Sequence, residues 1–168
     1  LVACENKDEV QEPTLQTITV TPVKTESTET FTDISFGTSK VGYICGSMGT
    51  LLKTTDGGKT WTKVQSDIKP SLNCIQALDD KNVFTARNEL YHTKDGGAAW
   101  ETVGLENVGS AIFDLYFTSP GTGFITKNGV MKSTDSGKTW TLKFDAAADE
   151  EYYALNYNQL QFLNANVG

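Results

Sequence analysis

The chain has 168 residues, of which 38% are hydrophobic, and it carries a formal net charge of −7. This length is typical of one domain with a packed core, and no apolar run approaches the roughly 18 residues that predict a membrane-spanning helix. The acidic balance argues against nucleic acid as a partner, because a phosphate-binding surface needs clustered lysine and arginine and Arg87 is the only arginine.

The first four residues, Leu1-Val2-Ala3-Cys4, resemble the lipobox of bacterial lipoproteins, in which the cysteine receives lipid. The resemblance implies a signal peptide upstream, lipidation of Cys4 and an anchor in the bacterial outer membrane. The charged run at residues 5–9 is similar to the surface-export signal of Bacteroidetes lipoproteins, and it equally suits a solvated tail. The alternative for Cys4 is an unmodified cysteine near a ragged terminus.

Residues 5–29 are rich in Thr, Glu, Lys and Val and contain Pro13 and Pro22, a composition typical of a flexible tether. Within it, residues 15–20 alternate polar and apolar side chains, which predicts one strand.

An eight-residue phrase occurs three times, at residues 54–61, 93–100 and 133–140. Its aspartates are 39 and then 40 residues apart. A period of about 40 in strand-rich units predicts the blades of a β-propeller. The strand at residues 15–20 is then a candidate to complete the last blade of a closed ring.

Each unit divides into four short segments: an apolar inner strand, an aromatic-led strand, a strand entering the phrase and a strand leaving it through tryptophan. Four-stranded blades have this organisation. We therefore predict an all-β partial propeller over residues 30–168, with blades at about 30–67, 71–105 and 110–146 and a partial blade from about 154. These three and a half blades are expected to belong to a six- to eight-bladed ring in a longer polypeptide; the alternative is a short chain with an open edge.

The residues of the phrase suit a tight turn between two strands. An aspartate accepts backbone N–H bonds inside its own turn, a glycine two positions later adopts positive φ without strain, and the tryptophan covers the turn with apolar surface. The predicted structural residues are Asp56, Gly58, Trp61, Asp95, Gly97, Trp100, Asp135, Gly137 and Trp140.

The phrase matches the Asp-box, or bacterial neuraminidase repeat, and together with the inner strands it resembles the propeller family of the photosystem II assembly factor. The resemblance covers residues 31–168 and implies the propeller fold. It also implies that the boxes lie on blade peripheries, away from ligand sites. In phototrophs the family's partner surface is linked to an arginine-rich patch, whereas this chain has Arg87 alone.

Catalytic chemistry is not predicted, and neither is a metal or a cofactor. A sialidase needs an arginine triad, and a two-carboxylate glycosidase needs paired acids that no pattern here brings together. Asp33 and Asp114 recur before inner strands, where capping of strand ends is the favoured role. His92 has no nucleophile motif beside it. Cys45 and Cys74 lie in apolar runs, which favours unpaired, structural thiols over a disulfide.

These observations favour a non-catalytic scaffold or accessory subunit, anchored by lipid on Cys4, with another envelope or outer-membrane protein as its partner. One alternative is a glycan-binding or sialidase-like propeller with its active residues in further blades; its candidate aromatics are Tyr116, Tyr152, Tyr153 and Tyr157. The other alternative is a photosystem II assembly factor, provided that the source is phototrophic.

Overall fold

The computed structural model describes residues 22–25, 27–105, 111–127, 129–145 and 160. The lipobox, the strand predicted at residues 15–20 and most of the predicted partial fourth blade lie outside these residues. Within them, no helix is long and apolar enough to cross a membrane.

In the described residues, twelve strands form three four-stranded antiparallel sheets, and each sheet is made of strands consecutive in the chain. This confirms the predicted all-β fold of four-stranded blades. The strands of blade 1 are β1 (Phe31–Phe36), β2 (Gly42–Gly46), β3 (Leu51–Thr54) and β4 (Thr62–Lys63); those of blade 2 are β5 (Cys74–Ala77), β6 (Val83–Ala86), β7 (Leu90–Thr93) and β8 (Glu101–Val103); those of blade 3 are β9 (Asp114–Ser119), β10 (Thr122–Lys127), β11 (Gly129–Ser133) and β12 (Thr141–Asp145).

The three blades share one register. Phe36 pairs with Gly42, Ala77 with Val83 and Phe117 with Gly123 at corresponding places in the first hairpin of each blade. Strands β2 and β6 are buried along their whole length, which explains their runs of apolar and small residues without polar alternation.

Two hydrophobic clusters lie between successive blades. Cluster 1–2, between blades 1 and 2, contains Tyr43, Cys45, Leu51, Ile68, Leu72, Ile75, Ala77 and Val83. Cluster 2–3, between blades 2 and 3, contains Cys74, Phe84, Ala86, Leu90, Ile112, Leu115, Phe117, Ile125, Met131 and Trp140. The hydrophobic core is therefore formed where successive blades meet, as in other repeat architectures.

The same side-chain bond joins each blade to the next at the start of the inner strand. Thr32 Oγ1 donates to the carbonyl oxygen of Leu72 at 2.8 Å. In the next blade, Asn73 Nδ2 donates to the carbonyl oxygen of Ile112 at 2.7 Å. Because Thr32 and Asn73 occupy equivalent positions, these bonds hold the inner strands at a constant spacing.

Two aspartates make a second set of links, from the inner strand of their own blade to a later segment of the chain. The Asp33 carboxylate accepts the N–H of Ile34 in its own strand and the N–H of Ile75 in blade 2, both at 2.8 Å. Asp114 likewise accepts the N–H of Leu160 at 2.5 Å. These carboxylates are thus occupied in joining neighbouring segments of the chain.

One aromatic position of the inner strand is exposed in blade 1 and buried in blade 3. Phe36 is 43% exposed, whereas the equivalent Phe117 is 6% exposed. The difference arises because Phe84 of blade 2 stacks on Phe117 at a centroid distance of 4.8 Å, and no described residue covers Phe36 in this way.

Candidate functional site

The first Asp-box is a turn closed by its own side chains. Asp56 accepts the hydroxyl of Thr54 at 2.8 Å and, from Thr60, the N–H at 2.9 Å and the hydroxyl at 2.6 Å. The N–H of Gly58 donates to Thr54 Oγ1 at 2.9 Å, and Trp61 Nε1 donates to the carbonyl of Gly58 at 3.1 Å. Gly58 has a φ of 88°, a conformation that strains residues with a Cβ.

The third box repeats this geometry, and the second lacks two of the bonds. Trp100 Nε1 has no hydrogen-bond partner among the described residues, whereas Trp140 Nε1 donates to the carbonyl of Gly137 at 3.0 Å. Asp135 accepts the hydroxyl of Thr139 at 2.6 Å. Asp95 accepts only the backbone N–H at the corresponding position, at 3.0 Å, because that residue is Ala99. The pKa values of Asp56 and Asp135 are lowered to about 2, and the largest contribution in each case is the hydrogen bond from the threonine hydroxyl, of Thr60 and Thr139 respectively. The pKa of Asp95 is also lowered, first by the N–H of Ala99.

Restoring the missing donor provides a direct test of this geometry. In A99T we expect the new hydroxyl to lower the pKa of Asp95 further, toward the value of Asp56. A lowered pKa stabilises the fold above the ordinary value near 4, and this contribution is lost as the pH falls through the folded-state pKa. Carboxyl NMR titration measures the change, and A99S is the matched control that supplies a hydroxyl without the methyl group. An unchanged Asp95 pKa in both variants would contradict the assigned bond.

Each box is also fixed to the opposite turn of its own blade. The N–H of Gly57 donates to the carbonyl of Lys40 at 2.9 Å, that of Gly96 to Lys81 at 3.0 Å, and that of Ser136 to Gly121 at 3.1 Å. The aspartates of the boxes are therefore engaged inside turns that are themselves bonded to the blade.

A groove of about 740 Å³ lies between the segment at residues 65–70, which links blades 1 and 2, and the outer strands of blade 2. Tyr91 and Trp100 line it, and both also pack against cluster 1–2. The second box contributes Ala98 and Ala99 to its wall, where the other two boxes carry lysine and threonine. These small side chains widen the groove. Its volume falls in the range of pockets that bind ligands in proteins.

The polar groups of the groove carry both signs of charge. Asp67, Lys69 and Glu89 line it. Tyr91 Oη donates to Glu89 Oε2 at 2.6 Å. Burial and this contact raise the pKa of Tyr91 to about 12, so the phenol remains a donor at neutral pH. No sequence pattern indicated Tyr91 or Glu89; the Ala98-Ala99 substitution in the second box was the available signal.

The remaining residues singled out in the sequence do not meet at one site. Cys45 and Cys74 are free, buried thiols, and burial raises the pKa of Cys45 to about 11 and that of Cys74 well above its usual range. Arg87 is exposed at the end of β6. Within the described part of the chain, no group of three or more His, Cys, Asp or Glu side chains is placed to hold a metal ion. Tyr116 is half-buried, and the other candidate tyrosines lie outside the described residues.

Comparison with known proteins identifies the family. The profile of the family described as "Photosynthesis system II assembly factor YCF48" matches residues 12–108. The chain belongs to this family. A curated relative, the photosystem II assembly lipoprotein Ycf48 of Synechococcus sp. (strain CC9902), is 37% identical over an alignment of 86 residues that covers 48% of this chain and 25% of the relative. The chain thus spans about a quarter of that protein's length.

Solved structures agree on the fold. YCF48 bound to a D1 peptide is similar with a TM-score of 0.62 and 24% identity over 71% of this chain and 42% of that one. YCF48 from Cyanidioschyzon merolae has a TM-score of 0.61 and 18% identity over 71% and 38%. A GH74 enzyme from Niastella koreensis has a TM-score of 0.54 and 19% identity over 67% and 22%. At these identities the likeness establishes the propeller fold alone.

The family match corrects three predictions. An outer-membrane scaffold, an envelope or outer-membrane protein as partner, and an outer-membrane, cell-surface location are all wrong, because the family and the curated relative are photosystem II assembly proteins. The Bacteroidetes assignment is likewise unsupported. The misleading signals were the lipobox-like pattern at residues 1–4 and the charged run after Cys4, neither of which is specific to an outer-membrane protein. The assembly-factor alternative accounts better for these findings.

Proposed function

We propose that this chain acts as a photosystem II assembly factor, a non-catalytic propeller that binds a photosystem II subunit during assembly. The observation that carries the proposal is the family match over residues 12–108, within which lie the first two blades and the groove. A non-catalytic role is supported by the engagement of the box aspartates inside their own turns.

Lipid on Cys4 would hold the propeller at the membrane in which photosystem II is assembled. The support is the Leu1-Val2-Ala3-Cys4 pattern together with a curated relative that is a lipoprotein. Stable anchoring of a protein by lipid requires more than one acyl chain, so the anchor is expected to be multiply acylated.

The groove is our candidate site for an extended segment of the partner subunit. It offers two aromatic side chains, Tyr91 and Trp100. Tyrosine and tryptophan are enriched among the residues that dominate the binding energy of protein interfaces. The solved complex of YCF48 with a D1 peptide makes D1 the first partner to test.

The test is isothermal titration calorimetry, in which the chain is titrated with overlapping D1 peptides. We expect one region of D1 to bind, and we expect Y91A to weaken that binding about tenfold or more, or 1.4 kcal/mol, through loss of the aromatic contact. Y91F keeps the ring and is the matched control, expected to bind like the wild type; thermal melting verifies that both variants fold. Absence of binding by every D1 peptide would refute the function, whereas Y91A binding at wild-type affinity would refute the groove as the site.

A further inference from the structure

The turn between β2 and β3 of blade 1 is two residues longer than the corresponding turns of blades 2 and 3. Five residues lie between the paired Cys45 and Leu51. Three lie between the corresponding pairs of the other two blades, which are Ala86 with Leu90 and Thr126 with Val130. Among the three described blades, the extra residues therefore belong to blade 1 alone.

The longer turn presents a methionine to solvent. It contains a short 3₁₀ turn (Ser47–Gly49), and Met48 is 72% exposed, more than any other exposed large hydrophobic residue in the described part of the chain. The φ of 55° and ψ of 31° of Met48 lie in the left-handed region, which residues other than glycine, asparagine and aspartate seldom adopt. Backbone strain of this kind is concentrated at binding and catalytic sites, where the surrounding structure maintains it.

Hydrogen bonds hold this turn in place. The N–H of Ser47 donates to the carbonyl of Thr30 at 2.8 Å, and the N–H of Thr30 donates to Ser47 Oγ at 3.1 Å. The N–H of Thr50 donates to the carbonyl of Ser47 at 3.0 Å. The N–H of Met48 donates to Ser71 Oγ at 3.3 Å. Because the backbone of the turn is already ordered in the free chain, contact with a partner at Met48 costs little main-chain entropy.

The turn of Met48 adjoins the groove between blades 1 and 2. Ser71, which accepts the N–H of Met48, directly follows Pro70, a residue of the groove wall. Gly49 packs so closely on the same segment that a methyl group at its Cα would collide with the carbonyl oxygen of Ile68, which also lines the groove. Met48 therefore lies beside the Pro70 end of the groove.

Met48 belongs to neither hydrophobic cluster of the described residues. The other methionine of the chain, Met131, is 4% exposed and lies in cluster 2–3. An unbranched, polarizable thioether adapts to side chains of varied shape, and methionine is frequent at protein-binding surfaces for this reason. The chemistry of Met48 thus suits contact with an apolar group of a binding partner.

We propose that Met48 is a second contact point for the partner segment in the groove and packs against a large apolar side chain of that segment. This inference rests on the proposed function, because its occupant is the same extended segment that we place in the groove. Consecutive residues of an extended chain advance about 3.3 Å each. A segment that continues past Pro70 therefore reaches Met48 within about three residues.

The two methionines make the test direct, because ¹³C labelling of methionine methyl groups gives two signals, which M48L assigns. The full chain is titrated with the D1 peptides that bind in calorimetry. We expect the Met48 signal to shift and to saturate at the Kd measured by calorimetry, while the signal of the buried Met131 stays in place. Binding that leaves the Met48 signal unmoved would overturn this contact alone. Absence of binding by every D1 peptide would refute the proposed function and the contact together.

Three variants measure what the contact contributes. M48Q replaces the thioether by a polar group of similar length, and we expect it to weaken binding of the D1 peptide about fivefold. M48L keeps an apolar side chain of similar volume and should bind within about twofold of the wild type. L142Q is the matched control, because Leu142 is also exposed, at 44%, but lies in blade 3; it should bind like the wild type. Thermal melting verifies that all three fold, and wild-type affinity of M48Q, or equal weakening by M48Q and L142Q, would refute the contact.

Discussion

Replacement of Phe117 by alanine is expected to lower the free energy of unfolding by about 3–5 kcal/mol, the range for a large buried aromatic side chain. Phe117 is 6% exposed and lies between Phe84 of blade 2, at 4.8 Å, and Trp140 of its own blade, at 5.9 Å. Its loss would leave a cavity in cluster 2–3 between two rings. Urea denaturation monitored by tryptophan fluorescence measures the change.

F36A is the matched control, because Phe36 occupies the equivalent position in blade 1. Its ring is 43% exposed and touches Trp61 in an edge-on contact at 5.9 Å. We expect a loss of about 1 kcal/mol, in keeping with one aromatic pair. Equal destabilisation by F36A and F117A would contradict the account in which contact between blades, rather than packing within a blade, buries the inner-strand aromatic.

Replacement of Asp33 is expected to cause the next largest loss of folding stability. Its replacement by alanine leaves the N–H of Ile75, a residue only 3% exposed, without its acceptor. An unsatisfied buried donor costs about 1–3 kcal/mol, and we expect D33A to lose stability in that range. Chemical denaturation at pH 7 measures it. Wild-type stability of D33A would show that the link between the inner strands contributes nothing.

D33N separates the hydrogen bond from the charge. The carboxylate accepts one N–H on each of its two oxygens, and the single amide oxygen can keep only one of these bonds, so D33N should lie between D33A and the wild type at low pH. Burial raises the pKa of Asp33 above its ordinary value of 3.8, which means that the folded state disfavours the charged form. Wild-type stability therefore falls relative to D33N as the pH rises through that pKa. A wild-type stability that rises relative to that of D33N from pH 3 to pH 7 would contradict this sign.

The sequence predicted what repeats and missed what differs between repeats. The period of the boxes predicted the four-stranded blades, because each unit carries the same turn residues around Asp56, Asp95 and Asp135. The groove between blades 1 and 2 arises where the second unit departs from the others, at Ala98 and Ala99. The effect of such a departure depends on which residues it faces in the folded chain. Because those residues are far apart in the sequence, the sequence alone did not reveal the effect.

Location and partner were predicted wrongly for a different reason. The Leu1-Val2-Ala3-Cys4 pattern predicts attachment of lipid but carries no information about which membrane receives it. Arg87 as the sole arginine also weighed against the assembly-factor alternative. The groove is a concave surface whose walls are aromatic and carry both signs of charge. Binding of a partner there would not require an arginine-rich patch.

The central claim is that this propeller binds a photosystem II subunit, and the most direct measurement is its co-isolation from photosynthetic membranes. Tagged wild-type chain and the Y91A variant are expressed at equal levels and recovered after mild detergent extraction. The account predicts that D1 is recovered with the wild type and is several-fold depleted with Y91A. Recovery of the tagged wild-type chain without D1 would contradict it.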